Sequence, residues 1–531
     1  MTPLLIAVLL VGDSLERWHA ECLDRLEGAG GRIEAVLTVP CRQPPPLPSA
    51  ALRWYARRSE VGARSRLSPD EWLARVPRRD VASGSGEPPE WDVVLKLGAG
   101  PVPAGLDGAA RLGVWCFAHE LAAAVLPFFD EVQRGEPVTR AALVALGGGQ
   151  RRVLEEGYFR TARRSYVGGR DLILGTIAGW PARVCAAGPA DRQAGSDDAP
   201  RALPRLSLPR CAARIARNRG RLAWERLFRH PQWNIGLADL PAARLLDPGV
   251  DVEARIHWLP LQGRSSFLAD PFGVERDGTL RVLCERFHYG ESRGRLCALE
   301  WPSPRPEPAL DLPVHASYPF LVDGESGETF CVPETAAAGE IALYRTDPQL
   351  RRWSKEGVIA PDFPGVDPTV FRHEGRWWLL ATRQGPLEDV ELWAWHAPSL
   401  RGPWTPHARN PVKSDVRGAR PAGRPFLHEG VLYRPAQDCS RSYGWRVAIQ
   451  RVVDLTPAEF AEEEAAVVQA PARSPYPSGR HTLCAVGDRT LVDGRRDVFV
   501  PAALRAFLGI WARDLASRLG RHQKLSRSPR V

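Results

Sequence analysis

A phrase that recurs five times in the second half of the chain constrains the fold more than any other feature. Its copies are Ala269-Asp270-Pro271-Phe272, Ser317-Tyr318-Pro319-Phe320, Val366-Asp367-Pro368-Thr369, Gly423-Arg424-Pro425-Phe426 and the looser Gly479-Arg480-His481-Thr482. Each is followed by a short turn carrying Gly with Asp or Glu, such as Arg276-Asp277-Gly278 or His373-Glu374-Gly375, and then by a second apolar run. The lead residues step by 48, 49, 57 and 56 positions. Two β runs joined by a tight turn make a hairpin, and a hairpin repeating at such a period is the pattern of propeller blades. Five copies predict five blades.

In a propeller the innermost strands line a central channel. The residue before each repeated proline, or its counterpart, then faces a shared funnel: Asp270, Tyr318, Asp367, Arg424 and Arg480. The second strands end on Glu285, Glu334, Thr382, Gln437 and Asp493, a second polar ring on the same axis. Asp-Pro and Glu-Thr also form turns, but two rings of polar side chains are hard to explain as packing. Trp377, Trp378, Trp393, Trp395 and Tyr443 suit stacking on sugar faces, but most of them read rather as inter-blade core.

The remaining sequence predicts a multidomain chain of 531 residues. The runs Leu4–Val11, Ile33–Val39, Trp91–Leu97 and Leu112–Phe117 read as strands. Ser14–Gly28 reads as a helix with Ser14 as its cap. Strands alternating with helices predict an α/β, Rossmann-like domain over 1–185. A Pro-, Ala- and Asp-rich stretch predicts a linker over 186–225, with a short helical lead into a propeller over 226–500. Residues 501–531 read as a basic amphipathic helix and tail, which packs on the propeller or touches a membrane surface peripherally.

Composition narrows the partners. The net charge is +9, but all save four of the 71 basic residues are Arg. With abundant Ala, Gly and Pro, this reads as coding bias rather than a nucleic-acid surface. Ten scattered cysteines without a Cys-x-x-Cys motif predict a reducing, cytoplasmic setting and no structural metal. Leu4–Val11 lacks a preceding basic residue and reads as a strand rather than a signal peptide, and no run reaches transmembrane length.

Two resemblances extend these readings. The stretches Trp91–Gly98, Leu112–His119 and Arg134–Thr139 resemble the formyltransferase fold. That resemblance implies 10-formyltetrahydrofolate as a cofactor and a pocket at Cys116, Ala118 and His119. The family's Asn-x-His pair aligns with Cys116 and Ala118, and His119 falls one residue late. The second half resembles the N-terminal domain of glucosamine inositolphosphorylceramide transferases and the five-bladed propellers of arabinanases, xylosidases and invertases. Its carriers include Phe267–Phe272, Val332-Pro333-Glu334-Thr335, Gly402–His407 and Tyr433–Asp438. This resemblance implies a carbohydrate or glycoconjugate ligand.

Glycoside chemistry needs two carboxyls with separated pKa values. Asp270, Asp367, Glu285 and Glu334 are the acid/base candidates, with Tyr318, Arg424, Gln437, Arg480 and His481 as substrate contacts. Arginines there would suit an anionic group on the sugar. Three functions follow: a carbohydrate-active protein using the funnel, a folate-dependent formyltransferase acting on an amino sugar, or a non-catalytic glycan-binding scaffold.

Overall fold

The computed structural model describes residues 3–509 apart from 13, 40–67, 81–90, 104–105, 107, 109, 122–125, 188–206 and 262. The chain divides into two units between Arg219 and Gly220. A parallel sheet is covered on both faces, so its strands are continuous apolar runs rather than alternating ones. This is why Leu5–Val11 (β1) and Val93–Leu97 (β4) are buried along almost their whole length. With β2 (Arg32–Val39), β3 (Arg78–Asp80) and β5 (Val114–Phe117) they form the parallel part of a seven-stranded sheet. β6 (Val138–Gly147) and β7 (Gln150–Arg160) join antiparallel, giving the order β3-β2-β1-β4-β5-β6-β7.

Two helical expectations are corrected. The first helix spans Arg17–Gly28, with Glu16 rather than Ser14 at its cap. Glu16 and His19 cap it reciprocally: the Glu16 N–H donates to His19 Nδ1 at 3.1 Å. A helix also occupies Leu208–Phe228, inside the stretch expected to be a linker. Its Arg- and Ala-rich composition favours helix. Leu208, Cys211 and Ile215 lie on one side of it and pack on Leu126, Phe129 and Tyr166. The rest of the expected linker, at 188–206, and the tail beyond 509 lie outside the described residues. Among the described residues no helix is long and apolar enough to cross a membrane.

The second unit is a five-bladed β-propeller. The inner hairpins of four blades are Ser266–Arg276 with Thr279–His288, Ser317–Asp323 with Thr329–Glu334, Gly365–His373 with Arg376–Arg383, and Phe426–His428 with Val431–Asp438. The turns Asp277-Gly278, Glu374-Gly375 and Glu429-Gly430 have positive φ at both residues. That geometry matches the twist of the strands they join. The fifth blade is assembled from both ends of the unit. Leu483–Val486 and Arg489–Val498 pair with His230–Ala238 and Ile256–Trp258. The expected helical lead into the propeller therefore stops at Phe228, and the chain becomes a strand from His230. Trp377, Trp378 and Trp395 are core, at 2–7 % exposure, whereas Tyr443 is 38 % exposed.

Candidate functional site: a funnel of buried carboxylates

The repeated phrase is a repeated bulge. The register shifts between Ala269 and Phe272, Ser317 and Phe320, and Val366 and Thr369. At these shifts Asp270, Tyr318 and Asp367 adopt φ of 52°, 41° and 48°. Left-handed backbone at a residue with a side chain costs about 1–3 kcal/mol and persists only where surrounding structure enforces it. A bulge re-aims a side chain, and here the strain turns three lead residues toward the axis.

On one side of the axis stands a chain of three groups. Asp493 is fully buried and accepts from the amides of His481 and Thr482 at 2.9 and 3.0 Å. Its other oxygen meets His481 Nδ1. His481 Nε2 lies 3.7 Å from Asp270 Oδ1, which also accepts from the Thr482 hydroxyl at 2.9 Å. Asp270 Oδ2 accepts from the Tyr318 amide at 3.2 Å. The His481 ring stacks on Trp233 at 3.8 Å. Burial raises the Asp270 carboxyl to about 6, against the opposing pull of His481, and nearby Asp367 and Asp493 push the same way as burial. For Asp493, burial is outweighed by the His481 charge and its hydrogen bonds, so its carboxyl is held below the usual range. For His481, the neighbouring carboxylates outweigh burial and raise the imidazole.

On the other side Asp367 Oδ2 accepts from Arg420 Nε at 2.6 Å and from Gln437 Nε2 at 2.7 Å. Glu334 Oε2 accepts from the Asp367 amide at 3.1 Å. Arg420 also donates to Asp389 at 3.1 Å, and its guanidinium lies 4.8 Å from the Tyr443 ring centroid. Burial dominates again and lifts Asp367 to about 7 even beside Arg420, with Glu334 adding to the rise. Glu334 is likewise raised by burial, with Arg420 opposing.

Glu285 is buried within its strand, opposite Ala269, and burial followed by the charges of Asp270 and Glu334 raises its carboxyl well above the usual range. Its space is made by Gly294 on the adjoining strand, where a Cβ would stand 2.0 Å from Glu285 Oε1. His315 is 3.9 Å away.

The structure thus brings Asp270, Asp367, Glu285, Glu334 and His481 close enough to act on one another electrostatically, with Gln437 hydrogen-bonded to Asp367. Three expected contacts are corrected. Tyr318 is fully buried, its ring against Phe272. Its hydroxyl meets Thr369 at 2.9 Å and accepts from the Gly423 amide at 2.6 Å, so it braces three blades. Arg424 donates to the main-chain carbonyls of Leu321 and Ala485 at 2.8 and 3.2 Å. Arg480 is fully buried and paired with Glu253 at 2.9 Å. Both guanidinium groups are consumed by the scaffold. The arginine that meets a funnel carboxylate is instead Arg420, paired with Asp367 and standing in an Arg-Pro pair four residues before Arg424-Pro425.

Asp270, His481 and Asp493 bring potential metal-ligand atoms within 4.8 Å of one another. Of these atoms, His481 Nδ1 is paired with Asp493, and Nε2 stands 3.7 Å from Asp270 Oδ1.

In the first unit Cys116 is fully buried, and its thiol donates to the Val144 carbonyl at 3.8 Å. Burial pushes that thiol up to about 12. Ala118 begins a four-residue helix, Ala118–Leu121, that also carries His119. Burial drives the His119 ring down to about 4, and neither nitrogen has a hydrogen-bond partner among the described residues. Its nearest rings are Phe128 at 5.1 Å and Trp18 at 5.7 Å. A thiol and an imidazole in these states are poorly suited to moving a proton in formyl transfer.

Residues 305–476 match the family model described as glucosamine inositolphosphorylceramide transferase 1, N-terminal. The chain is 37 % identical over 210 residues to glucosamine inositolphosphorylceramide transferase 1 of Oryza sativa subsp. japonica, covering 37 % of this chain and 28 % of that protein. It is 35 % identical over 215 residues to the Arabidopsis thaliana protein of the same name, covering 38 % and 27 %. The chain thus spans little more than a quarter of the length of these relatives. Among solved structures, a glycosyl hydrolase from Bacteroides ovatus aligns with TM-score 0.33 and 14 % identity, over 47 % of this chain and 88 % of that one. An α-L-arabinanase of Cellvibrio cellulosa complexed with arabinohexaose aligns with TM-score 0.29 and 13 % identity, over 42 % and 80 %. The sequence match to the transferase N-terminal region, rather than these partial structural likenesses, is what ties the propeller to a known protein group.

Proposed function

We propose that the propeller funnel takes the sugar of a glycoconjugate and carries out acid/base chemistry at its glycosidic oxygen. The observation that carries this reading is the spread of protonation among carboxyls on one axis. Burial and the charges of Asp270 and Glu334 raise Glu285 well above the usual carboxyl range, Asp493 is held below that range, and Asp270 is raised to about 6. A protonated acid and an ionisable base are what glycosyl chemistry requires. Glu285 takes the role of acid and Asp270 that of base or nucleophile. Arg420, Gln437 and Glu334 hold Asp367 as an acceptor for sugar hydroxyls. The names of the sequence relatives point to inositolphosphorylceramide as the conjugate class. With Arg424 and Arg480 engaged elsewhere, the funnel itself suits the neutral sugar ring, and an attached phosphate lies outside it.

A binding role without turnover is the second reading. It is favoured by Asp270, whose two oxygens are both satisfied internally. One experiment separates the two. Purified protein is tested for a thermal shift and for product with inositol-containing and neutral oligosaccharides, beside Asp270→Asn. Turnover lost in the variant with the ligand shift retained supports catalysis. A shift in both proteins with no product in either supports the binding module. No shift with any sugar removes the funnel from both readings.

A further inference from the structure

The strands that close the propeller also bring both ends of the unit to the side of the funnel where Tyr443 is exposed. Val498 pairs with His230 at the end of the closing strands, beyond Asp493. Val500 packs in one cluster with Trp233, Phe267 and Tyr289, and Trp233 is the ring stacked on His481. Helical residues 501–509 and the end of the helix Leu208–Phe228 therefore lie beside the cluster that holds the stacking partner of His481.

Large apolar side chains at this rim face solvent. Trp224 is 58 % exposed, Phe499 49 %, Leu508 47 % and Phe228 39 %. Trp224 and Phe228 are 4.4 Å apart, and Phe228 and Phe499 6.3 Å. Cations are interleaved with them: Arg226 lies 4.4 Å from the Phe507 ring, and Arg221, Arg229 and Arg505 are exposed. Across 220–229 and 499–509 the single acid is Glu225, already paired with Arg221 at 2.7 Å. A contiguous exposed apolar patch on a water-soluble surface marks an interaction site. Aromatic rings beside guanidinium groups match the boundary layer of a bilayer, where rings enter the acyl region and cations meet phosphates.

We propose that this rim docks the protein on an anionic lipid surface, with the funnel opening toward the headgroups. The proposal rests on the reading of the funnel as a glycoconjugate site and supplies the way in which a lipid-linked sugar reaches it. Charge selects this occupant over a second copy of the chain, because two such basic faces repel.

The test is co-sedimentation of the full chain with vesicles of phosphatidylcholine alone and of phosphatidylcholine with phosphatidylserine. The native protein is expected to bind the anionic vesicles at least tenfold better. Trp224→Ser with Phe499→Ser should lose at least tenfold of that binding with an unchanged melting midpoint, since both side chains are exposed. Arg226→Glu with Arg505→Glu should abolish the preference for anionic lipid. Indifference of the native chain to anionic vesicles, or undiminished binding by both double variants, overturns the proposal. So does a native oligomer that the Trp224 and Phe499 substitutions dissociate. Asp270→Asn should bind vesicles like the native chain. Vesicle binding without any sugar ligand would then refute the funnel reading alone, and turnover of soluble sugars without vesicle binding would refute the docking alone.

Discussion

The funnel holds two carboxylate–cation pairs built on different cations. Asp493 is paired with His481, and Asp367 with Arg420. Both carboxylates are buried, so each needs its partner. Imidazole can release its proton near neutral pH, whereas guanidinium cannot. The Asp493–His481 pair can therefore exchange protons with Asp270 beside it. Arg420 keeps its charge throughout, whereas Asp367, lifted to about 7, titrates beside it, and the fixed guanidinium serves to orient. One half of the funnel is equipped for proton movement and the other for holding a ligand still.

The largest effect is expected from Arg420→Met. It leaves Asp367 and Glu334 buried without their cation, and breaking a buried pair from one side costs about 3–5 kcal/mol. Urea unfolding should show this loss, and adding Asp367→Asn should recover part of it. A loss below about 1 kcal/mol would erase the difference between the two halves. The next effect belongs to His481→Gln. The protein should remain folded, turnover should fall by about 10²-fold, and the acid limb of the pH–rate profile should move upward. That shift follows because His481 is what opposes the rise of Asp270. An unmoved acid limb would break the link between His481 and Asp270.

A third expected effect is a pH dependence of melting. Asp270 and Asp367 sit at about 6 and about 7 when folded, against about 3.9 in an unfolded chain. The folded state therefore binds more protons, and stability falls as pH rises from about 4 to 7. His481 is raised on folding, so its contribution is present at low pH and is also lost as pH climbs. Asp493 acts oppositely, contributing stability that is lost only as pH falls through its depressed range. Tm should thus decline from pH 5 to 8, and Asp367→Asn should flatten the decline. A native Tm that stays level across this range would contradict the raised carboxyls.

The blades, Asp270 and Asp367 were legible because the bulge that aims these two carboxyls is also the repeat that marks the blades. Arg420 was not. Two Arg-Pro pairs stand four residues apart, and the phrase Gly423-Arg424-Pro425-Phe426 copies the other blades better. The ladder selects the earlier pair: the Gln437 amide donates to the Arg420 carbonyl at 2.8 Å. Strand pairing, not local likeness, decides which arginine faces inward. Tyr318 shows the converse, since its position follows the repeat but its length carries the hydroxyl past the funnel to Thr369 and Gly423. The split fifth blade escaped a reading by period because half of it, His230–Trp258, precedes the first repeat.

That split blade predicts a folding order in which closure comes last. Val498 meets His230 only after the whole intervening circuit has been made, so the closing contacts are among the most remote in sequence and the slowest to form. On a ribosome, blade 1 has no finished neighbour on its open side until the last strands emerge. Residues 305–476, the stretch shared with the transferases, contain none of the closing strands. Expressed alone, that fragment would leave blade faces such as those of Phe320 and Ile449 without a partner layer, and it should aggregate where the closed circle stays in solution.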